Sequence, residues 1–210
     1  MADLGSVARY ISVARYISVA MERKSSGPVP LSLVAHSKSE MENPMALDSL
    51  NALFEDTLRD MYYAEKKLTK ILPKMAKKAT TPELADAFTS HAEETQGQVD
   101  RLEQVFKMID KAPRAKKCEA LEGLSAEGDH VMEKAEEEGV MDAGLIASAQ
   151  AVEHYEMARY GTLIAWANQL DMSDAASLLE ESLAEEKAAD EKLSGIAEDL
   201  KPLVLEAEAA

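Results

Sequence analysis

Between Met75 and Leu84 the chain reads MAKKATTPEL, and the shortness of this turn decides the fold. Before it, Leu47, Leu50, Phe54, Leu58, Met61, Leu68, Ile71, Leu72 and Met75 recur at steps of three and four, the spacing of one helical face. After it, Leu84, Phe88, His91, Thr95, Leu102, Val105 and Ile109 do the same. Thr81 followed by Pro82 is a helix-start signal, because a hydroxyl can cap the first turn and the missing N–H of proline costs nothing at the first position. The first helix is therefore expected from a cap at Asn43 or Asp48 to about Ala79, with a kink or frayed last turn at Pro73. The second is expected from Thr81 to about Lys111, ahead of Pro113. With only about three residues around Thr80 to join them, the two helices form an antiparallel hairpin.

A second hairpin follows the same logic. A third helix is expected after Gly139, capped by Asp142 and carrying Leu145, Ala149, Val152, Met157, Tyr160, Ile164 and Leu170. A fourth is expected from a Ser173 cap, carrying Leu178, Leu179, Leu183, Leu193, Ile196 and Leu200, with Pro202 just past its end. The connection between the hairpins, Ala112 to Gly139, is long by comparison and holds a short helix over Cys118–Leu124 or Gly128–Glu137. Helices of this length span roughly 40 to 50 Å, and such a connector is what a return along that length requires. Two antiparallel hairpins joined by a long crossover make an all-α, ferritin-like four-helix bundle.

Composition agrees. The 210 residues are 46% hydrophobic and only 5% aromatic, a helical vocabulary that excludes an all-β chain and a disordered one. A formal charge of −16 argues against nucleic acid as a partner. Cys118 is the sole cysteine, which excludes an internal disulfide and any CxxC motif and suits a reducing cytoplasm. No apolar run is long enough for a membrane span. The first forty residues stand apart: SVARYI occurs twice in succession from Ser6, and three acids face five bases there. Residues 1–44 read as an appended leader or start-site extension, with an organellar targeting segment as the alternative, and the bundle as 45–202.

Several acids lie where a bundle should be apolar. Residues equidistant from a hairpin turn sit at equal height. Glu65 and Glu94 flank the Thr80 turn almost symmetrically, as Glu153 and Glu186 flank the turn at 170–173. Each is near mid-helix and continues an apolar stripe. Ionised groups buried without partners are severely penalised, so a cation is expected among them. Carboxylates and imidazole on facing helices suit a hard or borderline metal ion. His91, Glu156 and Asp190 share those faces and complete the candidate set. The alternative is that Lys or Arg neutralises the acids, or that the helices are rotated so that they reach the rim.

Four stretches also carry a resemblance: Ala64-Glu65 with Leu68–Met75, then His91-Ala92-Glu93-Glu94-Thr95 with Arg101–Phe106, then Val152-Glu153-His154-Tyr155-Glu156 with Tyr160-Gly161, and Glu185-Glu186-Lys187 with Asp190 and Leu193. In this order, over about 45–200, they resemble the YciE/YciF-type ferritin-like proteins of bacteria. The resemblance implies a stress-response role, a homodimer and a rubrerythrin-like dinuclear site holding iron or manganese, with ferroxidase or peroxide-related redox activity. It departs from the ferritin pattern of Glu-x-x-His on the second and fourth helices: Gly97 stands three after Glu94, and Ala189 three after Glu186. His91 and Asp190 are the expected substitutes. His154, a neighbour of Glu153 and so about 100° round the helix, is expected outside the ligand set, and Tyr160 is expected in packing, with a hydrogen bond to a ligand or radical chemistry as the alternative. A metal-independent helical scaffold or protein-interaction dimer is the competing expectation.

Overall fold

The computed structural model describes residues 47–208, with side chains as far as residue 200. The leader expected at 1–44 and the cap expected at Asn43 fall outside the described residues. Five helices are present, α1 Leu50–Lys78, α2 Pro82–Met108, α3 Glu119–Lys134, α4 Glu138–Gln169 and α5 Ser173–Glu208, and no strand occurs among the described residues. Helix α1 packs chiefly on α2 and α4 chiefly on α5, while α3 lies in the crossover and rests on α4. This is the all-α, ferritin-like arrangement of two hairpins with an extra helix between them.

Several boundaries differ from expectation for identifiable reasons. Ser49, not Asp48, caps α1, its Oγ accepting from Ala52 N at 3.2 Å. The helix carries Pro73 inside it and continues to Lys78, and α5 likewise continues through Pro202 to Glu208. Helix α2 stops at Met108 rather than Lys111 because Asp110 turns left-handed, with φ 54°, and Lys111 N reaches back to Phe106 O at 2.9 Å. Asp171, φ 57°, ends the α4 segment in the same way, with Met172 N bonded to Ala167 O at 2.9 Å. Aspartate tolerates this conformation better than most residues.

The two windows considered for the connector helix belong to one continuous helix of 16 residues, capped by Cys118, whose Sγ accepts from Leu121 N at 3.4 Å. It sits close against α4 because residue 144 is glycine; a Cβ there would lie 2.5 Å from Val131 Cγ1. The extended stretch before it is strapped to α1: Lys116 N donates to Arg59 O at 3.1 Å, Arg59 Nε to Arg114 O at 3.2 Å, and Lys116 Nζ pairs with Asp56 and Asp60.

The apolar core has two parts. One, toward the α4/α5 turn, contains Phe54, Leu58, Met61, Leu102, Phe106, Leu163 and Leu179. The other, toward the α1/α2 turn, contains Leu68, Leu72, Leu84, Phe88, Leu121, Leu145 and Leu193. On each long helix the residues between these two sets include the acids singled out above.

Asp142 corrects an expectation. Helix α4 already begins at Glu138, so Asp142 is not its cap. Its fully buried carboxylate instead reaches the turn of the other hairpin, Oδ1 accepting from Thr80 N at 2.7 Å and Oδ2 from Thr81 N at 2.9 Å. Thr81 stands at the cap position of α2, but its hydroxyl makes no cap bond. One side chain thus closes the α1/α2 turn and ties it to α4. Asp142→Ala would strand two backbone donors, and we expect a loss of about 2–4 kcal/mol in urea unfolding. Asp142→Asn, which retains one acceptor oxygen, should lose less; equal losses would count against the cap.

Candidate metal centre

Helical spacing delivers five titratable side chains to the level between the two apolar halves. Glu65 comes from α1, one turn from Met61 and Leu68; His91 from α2, three after Phe88; Glu153 and Glu156 from α4, after Ala149; and Glu186 from α5. All five are buried, with Glu65 and Glu186 at 0% exposure. Ligand atoms of His91, Glu153, Glu156 and Glu186 lie within 4.8 Å of one another. His91 Nε2 stands 3.4 Å from Glu153 Oε1 and 3.5 Å from Glu186 Oε2. Glu65 adjoins this group and interacts electrostatically with His91 and Glu153.

The acids are poorly satisfied by protein. Glu65 Oε2, Glu153 Oε2, Glu156 Oε1 and Glu186 Oε2 are buried and have no hydrogen-bond partner. Among the described residues, His91 is the one cationic group within ion-pair distance of the cluster's carboxylates. Burial pushes the Glu65 carboxyl up to about 7, against the pull of Tyr160 and His91. Burial and the neighbouring carboxylates raise Glu156 and Glu186 well above the usual range. For His91, burial works to lower the pKa, but Glu153, Glu94 and Glu65 outweigh it and lift the imidazole to about 9. The layer therefore holds its own protons as a partial substitute for a cation.

Two expected residues lie elsewhere. Glu94 stands at the rim with a 46% exposed side chain, its Oε2 3.2 Å from His91 Nδ1. Asp190 is on the outer face between α4 and α5, where its Oδ1 accepts from Gln150 Nε2 at 2.9 Å and sits 3.5 Å from the exposed His154. It lies apart from the buried group of His91, Glu153, Glu156 and Glu186. Two further residues hold the candidate ligands, Tyr160 as the hydrogen-bonding alternative anticipated and Gln98 without any anticipation. The Tyr160 hydroxyl donates to Glu65 Oε1 at 2.5 Å, so it orients a candidate ligand as well as packing. Gln98, 0% exposed, donates its amide to Glu186 and to Glu185 Oε2, while Arg101 fastens Glu185 and, through Nε, Ser182 Oγ at 3.0 Å. Gln98 is seven residues after His91 on the stripe that runs through Thr95 to Leu102, a spacing that marks it as inward-facing.

Residues 49–205 match the family described as "Domain of unknown function (DUF892)". The chain belongs to the DUF892 family. Within that family it is similar to Protein YciF of Escherichia coli (strain K12), at 46% identity over 154 residues, 73% of this chain and 93% of YciF. The crystal structure of the E. coli stress protein YciF superposes with a TM-score of 0.71 at 44% identity, covering 73% of this chain and 98% of that one. A structure from Rhodopseudomonas palustris, YcfI, described as a candidate structural protein, gives 0.70 at 46% identity, covering 73% and 96%. The resemblance read from the four helical stretches is thus a family membership. No helix among the described residues is long and apolar enough to cross a membrane.

The proton content of the layer gives this chain a pH signature. Glu65, Glu156 and Glu186 have folded pKa values raised above 4.5, so the folded chain binds more protons than the unfolded one and loses stability as pH rises from there. His91, raised from 6.5 to about 9, contributes stability that is present below 6.5 and lost as pH rises through 9. Both act in one direction. Thermal melts in chelator should fall steadily from about pH 5 to about pH 9, and Glu186→Gln should flatten the slope. A melting temperature that rises over this range would contradict the assignment.

Proposed function

We propose that the buried layer is a dinuclear iron or manganese centre and that the chain serves as a stress-response protein through it. The reading is carried by the buried oxygens on Glu65, Glu153, Glu156 and Glu186 that have no hydrogen-bond partner, with His91 as the single cationic side chain near them among the described residues. Ionised, four glutamates balance two divalent cations, and oxygen with imidazole donors suits ferrous iron and manganese. Similarity to YciF, described as a stress protein, supports the biological half of the proposal.

The residues divide the work. His91 would present Nε2 toward the cations while Nδ1 donates to Glu94, which fixes the tautomer and the ring. Glu153, Glu156, Glu186 and Glu65 would supply carboxylate oxygens. Tyr160 holds Glu65, and Gln98 holds Glu186, so two of the four carboxylates are oriented before any ion arrives. Bound iron would supply one-electron redox chemistry toward ferrous iron or peroxide as substrate. Phe88 and Leu193 border the layer on its α2/α5 side, and the rest of its surroundings are buried.

A metal-independent scaffold remains the second reading, favoured by the lifted His91 pKa, which lets an imidazolium neutralise part of the layer without metal. The two separate on loading. Anaerobic Fe(II) should leave about two ions per chain by elemental analysis. It should also raise the melting temperature by roughly 5–10 °C when metal is in large excess over its dissociation constant. Stabilisation should grow with pH, because the ligands must lose protons to bind. Glu65→Ala and Glu186→Ala should lose metal. Full metal content in both variants, or a melting temperature indifferent to chelator, would favour the scaffold.

A further inference from the structure

A cleft of about 90 Å³ opens between α2 and α5, several times what one water needs. Its walls include Glu94 and Lys192, both exposed, and His91 and Glu153, both buried, so it leads from solvent to the carboxylate layer. The Oε2 of Glu153 is among the unpartnered buried atoms. Small side chains keep the passage open, Ala87 on α2 and Ala189 on α5. Ala189 is three after Glu186, the position where a Glu-x-x-His pattern would place an imidazole. A second, smaller opening of about 20 Å³ reaches His91, Glu153 and Glu156 from beneath α3, but past Leu68, Leu72, Met75 and Val152. An ion would shed its water there without replacement, which makes that side a poor entrance for charge.

We propose that the α2/α5 cleft is the port by which a divalent cation enters the layer, and that Glu94 is the carboxylate that receives it at the mouth. The inference rests on the metal-centre reading. Glu94 is suited to the role because it is half in solvent and yet touches His91 Nδ1, so an ion held there is one imidazole away from Glu153 and Glu186. The same geometry explains why a sequence-derived candidate ligand lies outside the buried group. Glu94 belongs to the path, and the four core glutamates to the destination. Lys192 on the facing helix opposes entry electrostatically and sets how strongly the mouth attracts cations.

Stopped-flow mixing of the metal-free protein with Co(II), followed by visible absorbance, separates path from destination. Ala189→Leu should bind as much Co(II) at equilibrium as the unsubstituted chain while loading on the order of tenfold more slowly, and Glu94→Gln, which keeps an acceptor oxygen for His91 Nδ1, should slow loading by a similar factor. Lys192→Gln should load faster, most visibly at low ionic strength. Glu93→Gln removes the same charge from the exposed neighbour of Glu94 and should change little. Unchanged rates in both Glu94→Gln and Ala189→Leu would overturn the port and leave the metal centre standing. Lost Co(II) stoichiometry in Ala189→Leu would also overturn it, since that position would then belong to the layer and not to the path. Failure of the unsubstituted chain to bind Co(II) would overturn both readings.

Discussion

Four carboxylates and an imidazole held at mid-height of a helical core set the terms for everything packed around them. In water each carboxylate is solvated at no cost to the fold. Inside the bundle each must keep a proton, find a donor or bind a cation. The chain uses the first two in part: raised pKa values on Glu65, Glu156, Glu186 and His91, and donors from Tyr160 and Gln98. Four oxygens remain without a hydrogen-bond partner even so. Hydrophobic replacements would make an easier core, so these groups are not there for stability alone.

Holding five side chains at one level requires that four helices keep register over their whole length. The two hairpins share no short loop, and the crossover alone would leave them free to slide. Asp142 links the α1/α2 turn to α4, and the strap of Arg59, Arg114 and Lys116 fixes the crossover to α1. Gly144 lets α3 close on α4. These contacts lie away from the carboxylate layer, yet a slip of one turn at any of them would move a ligand by about 5 Å, beyond the reach of its neighbours.

The architecture was legible because loop length and apolar period are local properties: MAKKATTPEL and the run from Leu170 to Ser173 can each be only a tight antiparallel turn. Glu65, Glu153 and Glu186 were legible by the same symmetry, each at the height of its partner across a turn. The symmetry could not say how far each helix rotates, and rotation separates Glu94 at the rim from His91 in the core, three residues apart on one helix. Asp190 read as a ligand because it follows Glu186 by four, but it leans toward Gln150 and His154. Asp142 looked like the cap of its own helix, since a carboxylate near a helix start caps whichever donors tertiary packing brings to it. Gln98 was passed over because a neutral amide on an apolar stripe announces no chemistry by itself.

The polar layer leaves the bundle with two dry cores on shared helices. Dispersion contacts are dense within each half and interrupted between them. All four long helices run through both halves, and Tyr155 packs against both cores, so neither half can come apart as a separate domain. Bending or parting of helices at the polar layer exposes little apolar surface, whereas the same motion at either end would open a core. The bundle resembles a clamp closed at both ends by apolar packing, with its polar layer at the waist.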